Sequence, residues 1–164
     1  MHQPMAKETH QKLVELIYQP FHSDISQLVK QKRQSANGPI YHLDLHSMPS
    51  VGTKMHKDPG ERRADIVVSD SLGKSSRPEF VDLVISSYVR AGFKVGYNWP
   101  YQGGRLTEHY GKPAENHHTV QVELNRCLYM NEENKKVIAD KMEIVKSKLE
   151  MALGLIESKL SAMS

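Results

Sequence analysis

The chain has 164 residues, of which 38% are apolar and 25% charged, with a net charge of +3. This suits one globular domain, residues 1–164, with a sizeable core. No stretch approaches the roughly 20 apolar residues of a membrane span, and the N-terminus lacks the apolar core of a secretory signal. A cytoplasmic protein with no membrane partner is expected. The single Cys127 excludes an internal disulfide framework and any multi-cysteine zinc site within the chain. Lys30-Gln31-Lys32-Arg33 is the one compact basic cluster and reads as a solvated helix end, so no nucleic-acid partner is expected. Nine histidines are many for this length and direct attention to metal chemistry.

In chain order, Leu13, Ile17, Phe21, Ile25 and Leu28 recur at helical spacing and predict an amphipathic helical region from about Lys7 to Lys32. Pro20 should kink or split it near Gln19. Ser35-Ala36-Asn37-Gly38-Pro39 is a stop signal. Ile40 to Leu45 then reads as a strand that ends abruptly at His46-Ser47-Met48-Pro49-Ser50. Ser50 to Arg63 has no periodicity and reads as a long loop, of the kind that is functional or mobile. Ala64 to Val68 predicts a second strand. The segment from about Pro78 to Ala91 predicts a helix with Phe80, Leu83, Val84 and Tyr88 inward, stopped by Gly92. Phe93 to Asn98 and His118 to Leu124 predict two more strands, the latter with Val120, Val122 and Leu124 on one face and Thr119, Gln121 and Glu123 on the other. A long helix from about Glu132 to Ala162 carries a stripe of Ile138, Met142, Val145, Leu149, Ile156 and Leu160. That stripe suits packing across the sheet, with a coiled-coil seam as the alternative. The order predicts an α/β layered domain with a mixed sheet flanked by helices.

Four polar constellations fall after strands or face-on to them. They are His46 with Asp44; Arg63 with Asp65 and Asp70; Asn98 with Tyr101, Gly103 and Gly104; and Glu123 with Asn125 and Arg126. A histidine at a strand end can bind a metal through one ring nitrogen while a partner holds the other, or it can be a hydrogen-bonded structural residue. Glu123 lies in an otherwise apolar strand, where a carboxylate must be paired, metal-adjacent or set in a crevice. An ordinary ion pair with Arg126 is the plainer reading. Arg63 and Arg126 are each suited to bidentate carboxylate binding. Gly103-Gly104 permits close backbone approach, as does any hairpin turn. No phosphate-cradling Gly-x-x-x-x-Gly-Lys and no Gly-x-Ser-x-Gly elbow is present.

Taken in order, Asp44-Leu45-His46-Ser47-Met48-Pro49, Arg63-Ala64-Asp65-Ile66-Val67, Asp70-x-x-Gly73-x-Ser75, Asn98-Trp99-Pro100-Tyr101-Gln102-Gly103-Gly104, His109-Tyr110-Gly111-Lys112-Pro113 and Gln121 to Met130 resemble the N-formylglutamate amidohydrolase family. The resemblance runs from about Tyr18 onward. It implies a fold related to the zinc carboxypeptidases and hydrolysis of N-formyl-L-glutamate, or another N-acyl amino acid, to formate (or the acid) and the free amino acid, in histidine catabolism. By the same resemblance His46 is a zinc ligand and Glu123 the catalytic carboxylate. Arg63, Asn98, Tyr101, Gly103, Gly104 and Arg126 are implied substrate-binding groups.

The sequence departs from the family in one respect. A catalytic zinc takes three protein ligands, whereas the family's proline-His-Ser-Gly stretch and acidic ligand segment have no counterpart here. His10 and His22 fall in the helical pattern, and nothing in the spacing of His42, His109 or His118 recommends them. The chain is expected to represent the C-terminal part of the family fold, with a sheet edge left open. The alternative function is a non-catalytic remnant that binds or assembles through its long helix and open edge, a homo-oligomer among the assemblies considered.

Overall fold

In a computed structural model, residues 5–35 and 38–162 are described. Contacts divide the chain into two units, Met1–Ile40 and Tyr41–Ser164.

The first unit is helical: α1 (Lys7–Leu13), a π-helical turn (Val14–Tyr18) and α2 (Gln19–Ser35). Pro20 has no N–H for the Leu16 carbonyl, and its ring crowds that oxygen. The helix answers with the wider π turn, closed by the Gln19 N–H on the Val14 carbonyl. The predicted break near Gln19 is therefore a change of helix type. None of these helical residues is buried, and Leu16, Ile17 and Leu28 are exposed. Within the predicted stop signal, Ala36 and Asn37 lie outside the described residues.

The second unit is built on a four-stranded sheet in the order β1-β4-β2-β3: β1 (Ile40–Met48), β2 (Ile66–Ser69), β3 (Val95–Tyr97) and β4 (His117–Asn125). β2 runs parallel to β3 and antiparallel to β4, so the sheet is mixed, as predicted. The β2–β4 register sets Val67 opposite Glu123 and Ser69 opposite Gln121. Alternation then sorts β4 into two faces. His118, Val120 and Val122 join Ile66 and Val68 against α3 (Pro78–Arg90) and α5 (Ala139–Ser161), where Phe80, Val84, Tyr88, Ala152 and Ile156 complete the core. Each buried Val, Ile or Phe among them contributes roughly 1.5–3 kcal/mol by leaving water. The other face carries Gln121 and Glu123, both nearly inaccessible.

The boundaries depart from the sequence reading where local polar groups intervene. β1 runs on through His46 to Met48 and stops before Pro49, which cannot donate to a ladder, so His46 lies inside the strand and not at its end. The C-terminal helix begins at Ala139. Met130–Asn131 and Lys136–Val137 instead pair as strands β5 and β6. The Asn131 side chain holds their turn by accepting the Glu133 and Asn134 N–H groups at 2.9 and 3.2 Å. A short helix, α4 (Arg105–Tyr110), lies between β3 and β4. Of the predicted stripe on the long helix, Val145 and Ile156 are buried, and α5 packs against α3 in place of a coiled-coil seam.

The long loop from Ser50 to Arg63 is pinned. Gly52 donates to the Glu61 carbonyl at 3.0 Å and accepts from Gly60 at 2.8 Å, and Val51 bridges to Arg62. A Cβ on Gly52 would fall 1.8 Å from the Asp58 carbonyl oxygen. Gly52→Ala is expected to cost about 1–3 kcal/mol by overpacking, read as a lower melting temperature. An unchanged melting temperature would show that the loop moves aside freely.

Candidate functional site

The polar face of the sheet carries a continuous hydrogen-bond network. His46 projects from β1 with its side chain 48% exposed, and its Nε2–H donates to Asp44 Oδ1 at 2.9 Å. Asp44 is almost buried, and its other oxygen accepts the Thr107 hydroxyl of α4 at 3.1 Å. With Nε2 committed to a carboxylate, Nδ1 is the nitrogen of the neutral ring that carries a lone pair. On β4, Gln121 Nε2 donates to Glu123 Oε1 at 2.7 Å, while Gln121 Oε1 accepts the Gly104 N–H at 2.5 Å. The sheet thus presents a half-exposed imidazole and a buried carboxylate, each fixed by a neighbour two residues along its own strand.

Burial holds the Glu123 carboxyl above its ordinary value of 4.5, and the Asp44 charge adds to the shift. His46, the Gln121 amide and Arg126 pull it partly back by favouring the carboxylate. A carboxylate raised in this way is a better proton acceptor than one in water. Arg126 lies within electrostatic reach of Glu123 and is tied to β1, donating to the Ser47 hydroxyl at 3.2 Å and the Ser47 carbonyl at 3.0 Å.

The remaining sequence-predicted groups occupy different positions. Arg63 has four of its five N–H donors engaged: Nε and Nη2 donate to the two oxygens of Asp58 at 2.7 and 2.8 Å, and Nη1 donates to the Tyr101 hydroxyl at 2.8 Å and the Pro49 carbonyl at 3.2 Å. Both members of the Arg63–Asp58 pair have side chains 1% exposed. Asn98 staples the end of the sheet, donating to Asp70 Oδ1 at 2.8 Å while its own oxygen accepts the Asp70 N–H at 3.2 Å. The Tyr101–Gly104 turn crosses the polar face, its Tyr101 carbonyl accepting from the Ser69 hydroxyl at 2.9 Å. Its glycines are required by space. Gly103 has φ +112°, where a Cβ would meet Ser71 Oγ at 2.8 Å, and a Cβ on Gly104 would sit 3.1 Å from Gln121 Oε1.

The structure therefore brings together His46, Glu123, Arg126 and, through Gln121, Gly104, while Arg63 and Asn98 are held by other partners. Sequence reasoning missed Gln121 and Thr107 as members of the network. Gln121 carried a signal, since it shares the alternating face of Glu123. Thr107 carried none, because only tertiary packing of α4 brings it to Asp44.

The expectation of zinc meets an incomplete donor set. Among the described residues no group of three or more His, Cys, Asp or Glu side chains is placed to hold a metal ion, whereas a catalytic zinc takes three protein ligands. His42 packs its ring on Tyr110 and His117, at centroid distances of 6.0 and 5.8 Å, and burial lowers its pKa. His118 stacks on Tyr41 on the core face. His117 and His118 lie on opposite faces of β4.

Comparison with known proteins fits this geometry. Residues 1–130 match the model of the N-formylglutamate amidohydrolase family. An N-formylglutamate deformylase of Pseudomonas aeruginosa is 29% identical over 132 residues, 79% of this chain and 47% of that protein. One of Pseudomonas putida is 27% identical, over 76% of this chain and 46% of that protein. The chain thus spans about half the length of the curated relatives it matches. A crystal structure of N-formylglutamate amidohydrolase from Ralstonia eutropha superimposes with a TM-score of 0.76 at 27% identity, covering 92% of this chain and 54% of that one. A gene product of Agrobacterium tumefaciens shares the fold, with a TM-score of 0.66 at 18% identity, covering 94% of this chain and 56% of that one. With most of this chain matched by the family model and the same fold in a solved member, the chain belongs to the N-formylglutamate amidohydrolase family.

Proposed function

We propose that this chain carries the proton-transfer part of an amidohydrolase site that cleaves the formamide of N-formyl-L-glutamate, giving formate and glutamate. The observation that supports this best is the buried Glu123 carboxylate, raised in pKa and oriented by Gln121 beside the half-exposed His46. Glu123 accepts a proton from the attacking water and returns it to the amine nitrogen as the C–N bond breaks, so one carboxylate serves both steps. Arg126, fixed on Ser47, supplies positive charge beside the carboxylate and the substrate. His46 is proposed as a zinc ligand. The described residues do not complete a three-ligand set, and the steps given to Glu123 and Arg126 rest on their own chemistry.

The incomplete donor set favours a second reading, a binding or assembly module without turnover. Metal analysis of the purified chain, together with formate release from N-formyl-L-glutamate, separates the two. Bound zinc and release of formate are expected. Folded protein with neither would overturn the hydrolase reading and leave the binding module.

A further inference from the structure

A cleft of the second unit, about 690 Å³, adjoins the network without containing its centre. Lys57 and His56 of the long loop, Ser71 and Lys74 of the turn after β2, and Tyr101 and Gly103 of the glycine turn line it. His46, Glu123, Asn98 and Arg126 do not. One turn serves both places: Gly103 forms a wall of the cleft, and the next residue, Gly104, donates to the Gln121 that orients Glu123.

The cleft has an excess of positive charge. Two carboxylates line it, and each has its own cation: Asp58 is held by Arg63, and Glu108 lies 3.4 Å from Arg105. Among the described residues the ammonium groups of Lys57 and Lys74 have no such partner. His56 Nδ1 accepts the Thr53 N–H at 3.0 Å, which leaves its proton on Nε2 as a donor. Ser71 Oγ is buried and lacks a hydrogen-bond partner, a costly condition for a hydroxyl that a ligand oxygen would relieve. Arg63, another cation of this region, has its charge paired with Asp58 and four of its five donors held by Asp58, Tyr101 and Pro49.

We propose that this cleft is a carboxylate subsite, in which Lys57, Lys74 and the Ser71 hydroxyl hold the distal carboxylate of a small dicarboxylic ligand. This rests on the amidohydrolase reading for one point only, that the ligand is an N-acylated dicarboxylic amino acid whose amide lies at Glu123. The lysines supply charge and Ser71 a directed donor, so the subsite selects for a second carboxylate on the substrate.

Calorimetric titration of the full chain with glutarate tests the subsite without turnover or metal. Glutarate is expected to bind, butyrate to bind at least tenfold more weakly, and the Lys57→Ala/Lys74→Ala variant, with an unchanged circular dichroism spectrum, to lose at least tenfold in affinity for glutarate. Ser71→Ala is expected to lose a fewfold. No binding of glutarate by folded chain, equal affinity in the double variant, or loss in Arg126→Ala but not in the lysine variant would overturn the assignment. So would tighter binding of inorganic phosphate than of glutarate. Glutarate binding without formate release would overturn the amidohydrolase reading and leave the subsite standing; formate release with unaltered glutarate binding in the lysine variant would do the reverse.

Discussion

Glu123→Gln is expected to abolish formate release from N-formyl-L-glutamate, with a loss of about 10²- to 10⁴-fold, the usual contribution of a positioned acid–base group. The amide fills the same space and still accepts the Gln121 donor, so the change removes the proton acceptor and little else. Stability should move in the opposite direction to activity. A carboxyl whose folded pKa is raised contributes stability that is present at low pH and lost as pH rises through the folded value, because the buried charge must then form. At neutral pH the neutral glutamine avoids that charge, so the melting temperature should be unchanged or higher. The acid limb of kcat/KM for the unaltered chain should lie above 4.5, since activity falls as the Glu123 carboxylate is protonated. Retained turnover in the variant would remove Glu123 as the base. An equal loss of turnover and of folded structure would assign it a structural role.

Asp58→Ala is expected to be the most destabilising single change, by about 3–5 kcal/mol, because it strands a guanidinium whose side chain is 1% exposed. For a unit of this size that is a fall in melting temperature of roughly 10–20 °C. Replacing both partners, as in Asp58→Leu/Arg63→Met, should recover most of the loss, since apolar side chains of similar volume leave no buried charge unpaired. The pH dependence has a definite sign. The Arg63 hydrogen bonds hold the Asp58 carboxyl below its ordinary value of 3.8, so its contribution is intact above that pH and lost as pH falls through the lower folded value. A shift of less than about 2 °C in Asp58→Ala, by thermal denaturation at pH 7, would show the pair to be dispensable. The interaction matters to function because Arg63 also donates to Tyr101, which anchors the turn between the cleft and Glu123.

Much of the architecture was legible in the residues. Strict alternation in β4 placed Thr119, Gln121 and Glu123 on one face, and the structure buries that face as a polar layer. Helical spacing found α3 with Phe80, Val84 and Tyr88 inward, and Pro20 marked the change in helix type. The late start of α5 has a local cause. The hairpin before α5 is held by asparagine side chains bonding to nearby backbone, a local competition that a hydrophobic stripe does not register.

The candidate site divides in the same way. The residues alone place Glu123 on the polar face of a strand and His46 next to another, and show motifs of a hydrolase family in order, because strand periodicity and residue chemistry are local properties. Which cations are paired with a carboxylate depends on tertiary packing. Arg63 has the shape for a substrate carboxylate, but the folding of its own loop brings Asp58 against it in just that bidentate geometry. The fold places Lys57 and Lys74 on the wall of one cleft. Charge pairing depends on distances between residues far apart in the chain, and those distances exist only once the loops have closed over the sheet.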